Sequence, residues 1–137
     1  MRFARPLGLA CLVSNCVLLA PIQGVSAAEL TGTWATSADV CSLVFTKKGN
    51  EVAFTELSEI YGSGFVITGN RIAGKSVHCT IDSTKQDGNS LEISAACATS
   101  IMTQKVKFKL TFADDNTIDR AFDEVPGMNV KYYRCKN

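Results

Sequence analysis

The chain has 137 residues, the size of one small domain, and carries 14 basic and 13 acidic side chains. A net charge of +1 excludes an overall field strong enough to attract nucleic acid or an anionic membrane. The single histidine excludes a zinc site built on two or more histidines.

Residues 1–28 have the features of a removable export signal. Two arginines give a positively charged start, and residues 7–22 contain no charge. Small residues follow and place the cleavage site next to Ala27 or Ala28. The apolar run has 16 residues, whereas a spanning helix needs about 20, so we expect no transmembrane anchor in the mature chain. Lipid attachment at Cys16 is an alternative, although the apolar run continues after this cysteine.

Cleavage after residue 28 would leave one domain of 109 residues, 29–137. It would carry 12 basic and 13 acidic side chains, because the signal contains two arginines and no acidic residue. An exported domain of this size with four cysteines typically forms two disulfides. We therefore predict a periplasmic or secreted protein with two disulfide bonds, formed by the four cysteines that remain: Cys41, Cys79, Cys97 and Cys135.

The mature sequence has the pattern of short strands separated by turns. Residues 105–112 alternate apolar and polar side chains without exception, and residues 77–82 and 91–95 do the same. A period of two predicts strands that are buried on one face. Clusters of Gly, Asn and Asp between these runs predict tight turns. The predicted strands lie near residues 30–36, 41–47, 51–57, 64–68, 71–82, 90–97, 104–112, 117–122 and 129–135.

Consecutive antiparallel strands of this kind predict an up-and-down meander, whose open edges would favour aggregation unless the sheet closes. We predict an all-β fold, a small antiparallel up-and-down barrel of about eight strands, with a β-sandwich as the alternative. With three phenylalanines and two cysteines inside, we expect a mostly filled interior with at most a shallow pocket near Tyr61 and Met128. The side chains expected to point inward are Val52, Phe54, Val77, Ile81, Leu91, Ile93, Val106, Phe108, Leu110 and Phe112.

The hairpin predicted around Gly88 indicates how the cysteines pair. If its strands fold back symmetrically about Gly88, Cys79 lies directly opposite Cys97 on the apolar face. Opposed side chains on one face are close enough for a disulfide. The remaining cysteines, Cys41 and Cys135, would then link an early strand to the last one, as expected for a sheet whose ends meet.

Residues 32–34 read Gly-Thr-Trp on the first predicted strand. A Gly-x-Trp motif at this place resembles the opening of lipocalin-like and avidin-like barrels. In lipocalins a basic residue near the end of the last strand packs over this tryptophan, and Arg134 occupies that place here. The resemblance implies that Trp34 and Arg134 have a structural role and together close one end of the barrel.

Residues 26–43, which read SAAELTGTWATSADVCSL, also resemble the start of the bacterial periplasmic inhibitors of secreted zinc metalloproteases. Those small barrels open with Glu-Leu-x-Gly-x-Trp and place a cysteine several residues later. The resemblance covers these residues only. It implies peptidase inhibition as an alternative function.

The sequence contains no recognisable catalytic arrangement, because His78 is the only histidine and the mature cysteines are assigned to disulfides. We predict a non-enzymatic binding protein of lipocalin-like architecture, without metal or cofactor; a structural envelope protein is a third hypothesis. Apolar residues at the tips of polar loops are typical recognition positions on scaffold barrels. The predicted ligand-binding residues are Ile60, Tyr61, Ile101, Met102 and Met128.

The expected partner is a small apolar ligand or another protein. Lys105, Lys107 and Lys109 form a basic row on one face of a predicted strand, which could hold an acidic partner or keep a surface strand in solution. No aromatic side chains accompany these lysines on that face, so we expect no nucleic acid partner.

Overall fold

The computed structural model of the protein describes residues 27–136. The predicted export signal lies outside the described residues, apart from the backbone of residues 27 and 28. Short 3₁₀ turns cover Ala27–Leu30 and Ala38–Val40, and a short helix, α1, covers Cys41–Val44. The strands are β1 (Gly32–Ala35), β2 (Phe45–Lys48), β3 (Glu51–Phe54), β4 (Gly64–Thr68), β5 (Arg71–Ala73), β6 (His78–Asp87), β7 (Ser90–Ala98), β8 (Thr103–Asp114), β9 (Thr117–Ala121) and β10 (Asn129–Arg134).

Eight of these strands form a closed antiparallel barrel in the order β1-β10-β9-β8-β7-β6-β5-β4. Strand β1 completes the closure, because Trp34 lies opposite Arg134 of β10 on one side and Phe65 of β4 on the other. Every barrel strand therefore has two neighbours, and the barrel has no open sheet edge. The prediction of an all-β, eight-stranded antiparallel barrel is confirmed, and the β-sandwich alternative is wrong.

Two regions differ in secondary structure from the predicted strands, and β6 also continues to Asp87, beyond the predicted end at residue 82. Residues 41–47 begin with helix α1, which follows a 3₁₀ turn where the Ser37 side chain accepts a hydrogen bond from the Asp39 N–H. Residues 71–82 form two strands, since a turn closed by the Gly74 N–H and the Val77 carbonyl separates β5 from β6.

Among the described residues, no helix has both the length and the apolar composition needed to cross a bilayer.

The β2–β3 hairpin is not part of the barrel; it packs with α1 against the barrel's outer face. There a second apolar core contains Ala35 of β1 and Phe45 of β2. Val52 and Phe54 pack against this outer core, so the prediction that they point into the barrel is wrong. The hairpin has an alternating apolar face, as a barrel strand would, but it buries that face against the outside of the wall.

Both predicted disulfides are present. The Cys41–Cys135 bond, with a Cα–Cα distance of 5.7 Å, ties the start of α1 to the residue that follows β10. The Cys79–Cys97 bond joins β6 to β7 at directly opposed positions.

The β6–β7 hairpin places Cys79 opposite Cys97 as predicted, but its strand register near the turn differs from the predicted one. Near the turn the register is one residue away from the symmetric one, because Asp87 lies opposite Ser90. A bulge between Ile81 and Ser83 restores the predicted register at the cysteines. One extra residue in one strand is what a β-bulge supplies.

One end of the barrel interior is filled with side chains. Trp34 is fully buried there, and its indole N–H donates a hydrogen bond to the Leu30 carbonyl at 2.8 Å. The guanidinium of Arg134 lies 4.3 Å from the centre of the Trp34 ring, which is the arrangement implied by the lipocalin-like resemblance. The other buried residues of this filled end are Leu91, Ile93, Ala95, Phe112 and Ile118.

Candidate functional site

The other half of the barrel contains a cavity of about 480 Å³. This volume is within the range of small-molecule binding sites, about 300–1,000 Å³. The expectation of a mostly filled interior is therefore wrong for this half. The walls are formed by inward-facing residues of seven barrel strands, together with Val77 from the β5–β6 turn. The strand residues are Phe65, Ile67, Ile72, Cys79, Cys97, Val106, Phe108, Leu110, Arg120 and Tyr132.

The cavity exists because the bulky side chains are unevenly distributed along the barrel. Trp34, Phe112 and Ile118 are packed at the filled end, where Leu30 of the first 3₁₀ turn joins them. Phe54, which was expected to fill the interior, lies in the outer core. The inward side chains that remain, although they include Phe65, Phe108 and Tyr132, do not fill the other half of the interior.

The mouth of the cavity lies between loops that connect strands at one end of the barrel. Glu59 and residues 62–64 border it on one side and residues 74–76 on the other. Lys75 spans these two segments, since its ammonium group lies 3.9 Å from the Glu59 carboxylate and donates a hydrogen bond to the Glu56 carbonyl. The two charged side chains at the mouth are therefore paired with each other.

The backbone beside the mouth is constrained by the close approach of β4 to β1. Gly62 and Ser63 both have left-handed backbone conformations, with φ of +85° and +59°. A Cβ atom on Gly64 would collide with the Trp34 carbonyl oxygen and with the Phe45 ring. Glycine at this position therefore lets β4 lie close both to the backbone of β1 and to the Phe45 ring of the outer core.

Arg120 of β9 is the charged residue of the inner wall. Its guanidinium carbon lies 4.6 Å from the ring centre of Phe108 and 4.3 Å from that of Phe122. Aromatic rings stabilise a positive charge but supply no oxygen acceptor for its N–H groups. The buried Nε atom has no hydrogen-bond partner, and none of the ion pairs within residues 27–136 includes Arg120.

The five predicted ligand-binding residues lie on loops at the same end of the barrel as the mouth, but none of them lines the cavity. They belong to three connections, β3–β4, β7–β8 and β9–β10. Their side chains point away from the interior and are exposed to solvent. The exposed fractions are 74% for Ile60, 36% for Tyr61, 88% for Ile101, 51% for Met102 and 45% for Met128.

The sequence reasoning missed Arg120 and Tyr132, although a signal for each was available. Arg120 is two residues after Ile118, and alternation along β9 places both side chains on the inner face. Tyr132 is two residues before Arg134 and shares its face of β10 by the same rule. Both were overlooked because polar or amphipathic side chains were assigned to the outer face.

The basic row on the outer face of β8 is paired with carboxylates. Lys105 contacts Asp82, Lys107 lies 3.2 Å from Glu92, and Lys109 lies 2.8 Å from Asp123. The hydrogen bond and the charge of Asp123 raise the pKa of Lys109. Because each lysine has an acidic neighbour, the row is not a concentrated positive patch.

Within residues 27–136, no group of three or more His, Cys, Asp or Glu side chains could hold a metal ion.

The fold and the cavity define a class: a small, closed antiparallel barrel of lipocalin-like architecture that is hollow at one end. No family model, curated protein or solved structure matches the chain.

Proposed function

We propose that this is an exported, non-enzymatic binding protein that holds a small, largely apolar ligand inside its barrel. The observation that carries the proposal is the cavity of about 480 Å³, with apolar walls and a mouth between the loops at one end. Moving apolar surface from water into such a site contributes about 25 cal/mol for each Å². A cavity of this size can bury most of the surface of a small ligand.

The walls of the cavity are held in place without a ligand. The Cys79–Cys97 disulfide lies in the wall and joins two neighbouring strands. The barrel is closed on both sides of β1, so its strands cannot separate one at a time. A preformed site binds more tightly because less conformational freedom is lost on association.

The export part of the proposal is supported by the disulfides and by the signal-like first 28 residues. Disulfides persist in oxidising compartments, which include the periplasm and the exterior of the cell. Mass spectrometry of the protein recovered from an exporting host should show a chain that starts at Ala28 or Glu29. A mature chain that retains the first 20 residues would contradict this part of the proposal.

Cavity filling tests the binding site directly. We expect a neutral, environment-sensitive apolar fluorophore to bind the protein at one site, and Val106→Trp to abolish binding because the indole would occupy the cavity. Thr111→Trp is the matched control, since Thr111 lies on the outer face of the same strand. Thermal unfolding should show that both variants fold. Failure of the unaltered protein to bind, or equal binding by both folded variants, would overturn the proposal.

A second candidate function is contact with another protein through the loop tips. Seven of the eight exposed large apolar side chains of the described residues lie on the loops at the open end of the barrel, Leu43 of α1 being the other. Apolar clusters of this kind commonly mark interaction sites. In this role the five predicted residues, Ile60, Tyr61, Ile101, Met102 and Met128, would contact a partner rather than a cavity ligand.

Peptidase inhibition is the specific form of this second candidate that the sequence resemblance implies. It predicts that the purified protein slows a secreted zinc metalloprotease, and that Ile101→Asn relieves the inhibition if the loop tips make the contact. Val106→Trp should leave the inhibition intact, because that side chain lies inside the barrel. Unchanged protease activity at excess protein would overturn this candidate.

A further inference from the structure

We infer that the ligand of the cavity is a single-chain amphiphile with one carboxylate, and that Arg120 binds this carboxylate. The inference rests on the proposed function, because it names the chemical class of the ligand for the same cavity. It is carried by the environment of Arg120 inside the barrel.

Three charged side chains line the cavity, and among the described residues only Arg120 of these three lacks an oppositely charged partner. Glu59 and Lys75 pair with each other at the mouth. Arg120 is on the wall, where its neighbours across the strand pairs are Leu110 and Val130. Arg120 is partly buried, and the buried part of a cation is unfavourable unless an anion or hydrogen-bond acceptors accompany it.

The aromatic contacts of Arg120 leave its buried Nε–H without a hydrogen-bond acceptor. Phe108 and Phe122 hold the guanidinium in place through their rings, within 4.6 Å and 4.3 Å of its central carbon. Neither ring accepts a strong N–H hydrogen bond, and the Nε atom has no partner. The side chain is therefore held in place with its buried Nε–H unsatisfied, as expected of a group that meets its partner in the ligand.

The chemistry of a guanidinium selects the kind of anion. Its parallel N–H groups match the two oxygens of a carboxylate, which they bind in a bidentate arrangement. One carboxylate neutralises the single positive charge of Arg120. A phosphate monoester carries about −1.5 to −2 at neutral pH and would leave excess negative charge in an apolar cavity.

The remaining walls determine the rest of the ligand. Phe65, Ile67, Ile72 and Val77 offer no charge and favour an aliphatic chain over a second polar group. The uncharged polar side chains Ser63, Ser76, Thr99 and Gln104 also line the cavity, but they come from the connections and the strand start at the mouth. A dicarboxylate or a sugar acid would place additional polar groups against these side chains without partners. A monocarboxylate with an apolar tail satisfies both parts of the cavity.

The test compares matched ligands that differ only in the head group. Decanoate, 1-decanol and decyl phosphate displace the neutral fluorophore from protein purified with both disulfides formed. We expect decanoate to bind roughly tenfold or more tightly than 1-decanol, as hydrogen bonds to a charged group imply. Arg120→Met should remove this preference by weakening decanoate binding roughly tenfold or more, while 1-decanol stays within about threefold.

Two further variants separate the Arg120 guanidinium from general charge effects. Arg120→Lys keeps the charge but loses the bidentate geometry, so decanoate should bind with intermediate affinity. Lys131→Met removes a cation from the outer face of the neighbouring strand and should leave the preference for decanoate intact. If Arg120→Met does not fold, Arg120→Lys and the comparison of decanoate with 1-decanol decide the question.

The failure of the inference is distinguishable from the failure of the proposed function. Equal binding of decanoate and 1-decanol, unchanged in the Arg120 variants, would overturn the inference while the cavity still holds apolar ligands. Tighter binding of decyl phosphate than of decanoate would overturn the carboxylate assignment. If neither the fluorophore nor any decyl ligand binds, the proposed function is wrong and the inference falls with it.

Discussion

Arg134 covers the indole ring of Trp34 across the strand pair that joins the last strand of the barrel to the first. The same guanidinium donates hydrogen bonds to the carbonyl groups of Glu29, Thr31 and Asp115. It therefore connects the first 3₁₀ turn, the β8–β9 turn and β10. One side chain holds together three segments that are far apart in the sequence.

Arg134→Met should lower the free energy of unfolding by about 2–4 kcal/mol, because a cation–π contact and several charged hydrogen bonds are lost together. Equilibrium denaturation with both disulfides intact measures the effect. Arg71→Met is the control, since Arg71 is an exposed arginine on β5 and has no such network within residues 27–136. A change of less than about 0.5 kcal/mol in Arg134→Met, the size of an ordinary surface substitution, would show that this closure contributes little.

The two disulfides should differ in their contribution to stability. Cys41 and Cys135 are 94 residues apart, whereas Cys79 and Cys97 are 18 apart. Because a longer loop loses more entropy when it is closed, the chain-entropy estimate is about 4–5 kcal/mol for the first bond and about 3 kcal/mol for the second. Denaturation of the two paired Cys→Ala variants measures both values, and the opposite order would contradict this entropic account.

Gly64→Ala should destabilise the barrel by about 3 kcal/mol or more, because the new Cβ atom would overlap the backbone carbonyl of Trp34. Gly69→Ala is the matched control, since nothing lies within 4 Å of its Cβ position. Its left-handed conformation, with φ of +58°, should cost only about 1–2 kcal/mol. Thermal and denaturant unfolding compare the two variants, and a Gly64→Ala protein as stable as Gly69→Ala would refute the close packing of β4 on β1.

Tyr61→Ala separates a loop-tip site from a cavity site. Tyr61 does not line the cavity, so we expect the affinity for a neutral apolar fluorophore to stay within about twofold, a difference of less than 0.5 kcal/mol. Fluorescence titration measures it beside Val106→Trp, which should abolish binding. A tenfold loss in Tyr61→Ala would instead favour the site at the loop tips that the sequence predicted.

The alternation of residues 105–112 and the turn clusters were enough to predict an antiparallel barrel, because burial on one face of a strand imposes a period of two. The same local geometry predicted the opposition of Cys79 and Cys97. The predicted pair is correct although the predicted register near the turn is wrong by one residue. The bulge after Ile81 shifts the strands back into the predicted register at the cysteines. The local sequence has no pattern that distinguishes a symmetric hairpin from one with a compensating bulge.

Only the tertiary structure decided which apolar surface each strand buries. Val52 and Phe54 have the pattern of barrel residues, yet they cover the outside of the wall, since a hairpin with one apolar face can bury it on either side. That placement, with Leu30, Phe112 and Ile118 packed at the filled end beside Trp34, leaves the cavity open. It also leaves Arg120 facing the cavity between two phenylalanine rings. The sequence by itself determined the strand pattern and the cysteine pairs, which depend on local periodicity and turn position. Alternation along β9 places Arg120 on the inner face, but it does not show that a cavity lies there. The cavity depends on how distant segments share one interior, and no local pattern encodes that distribution.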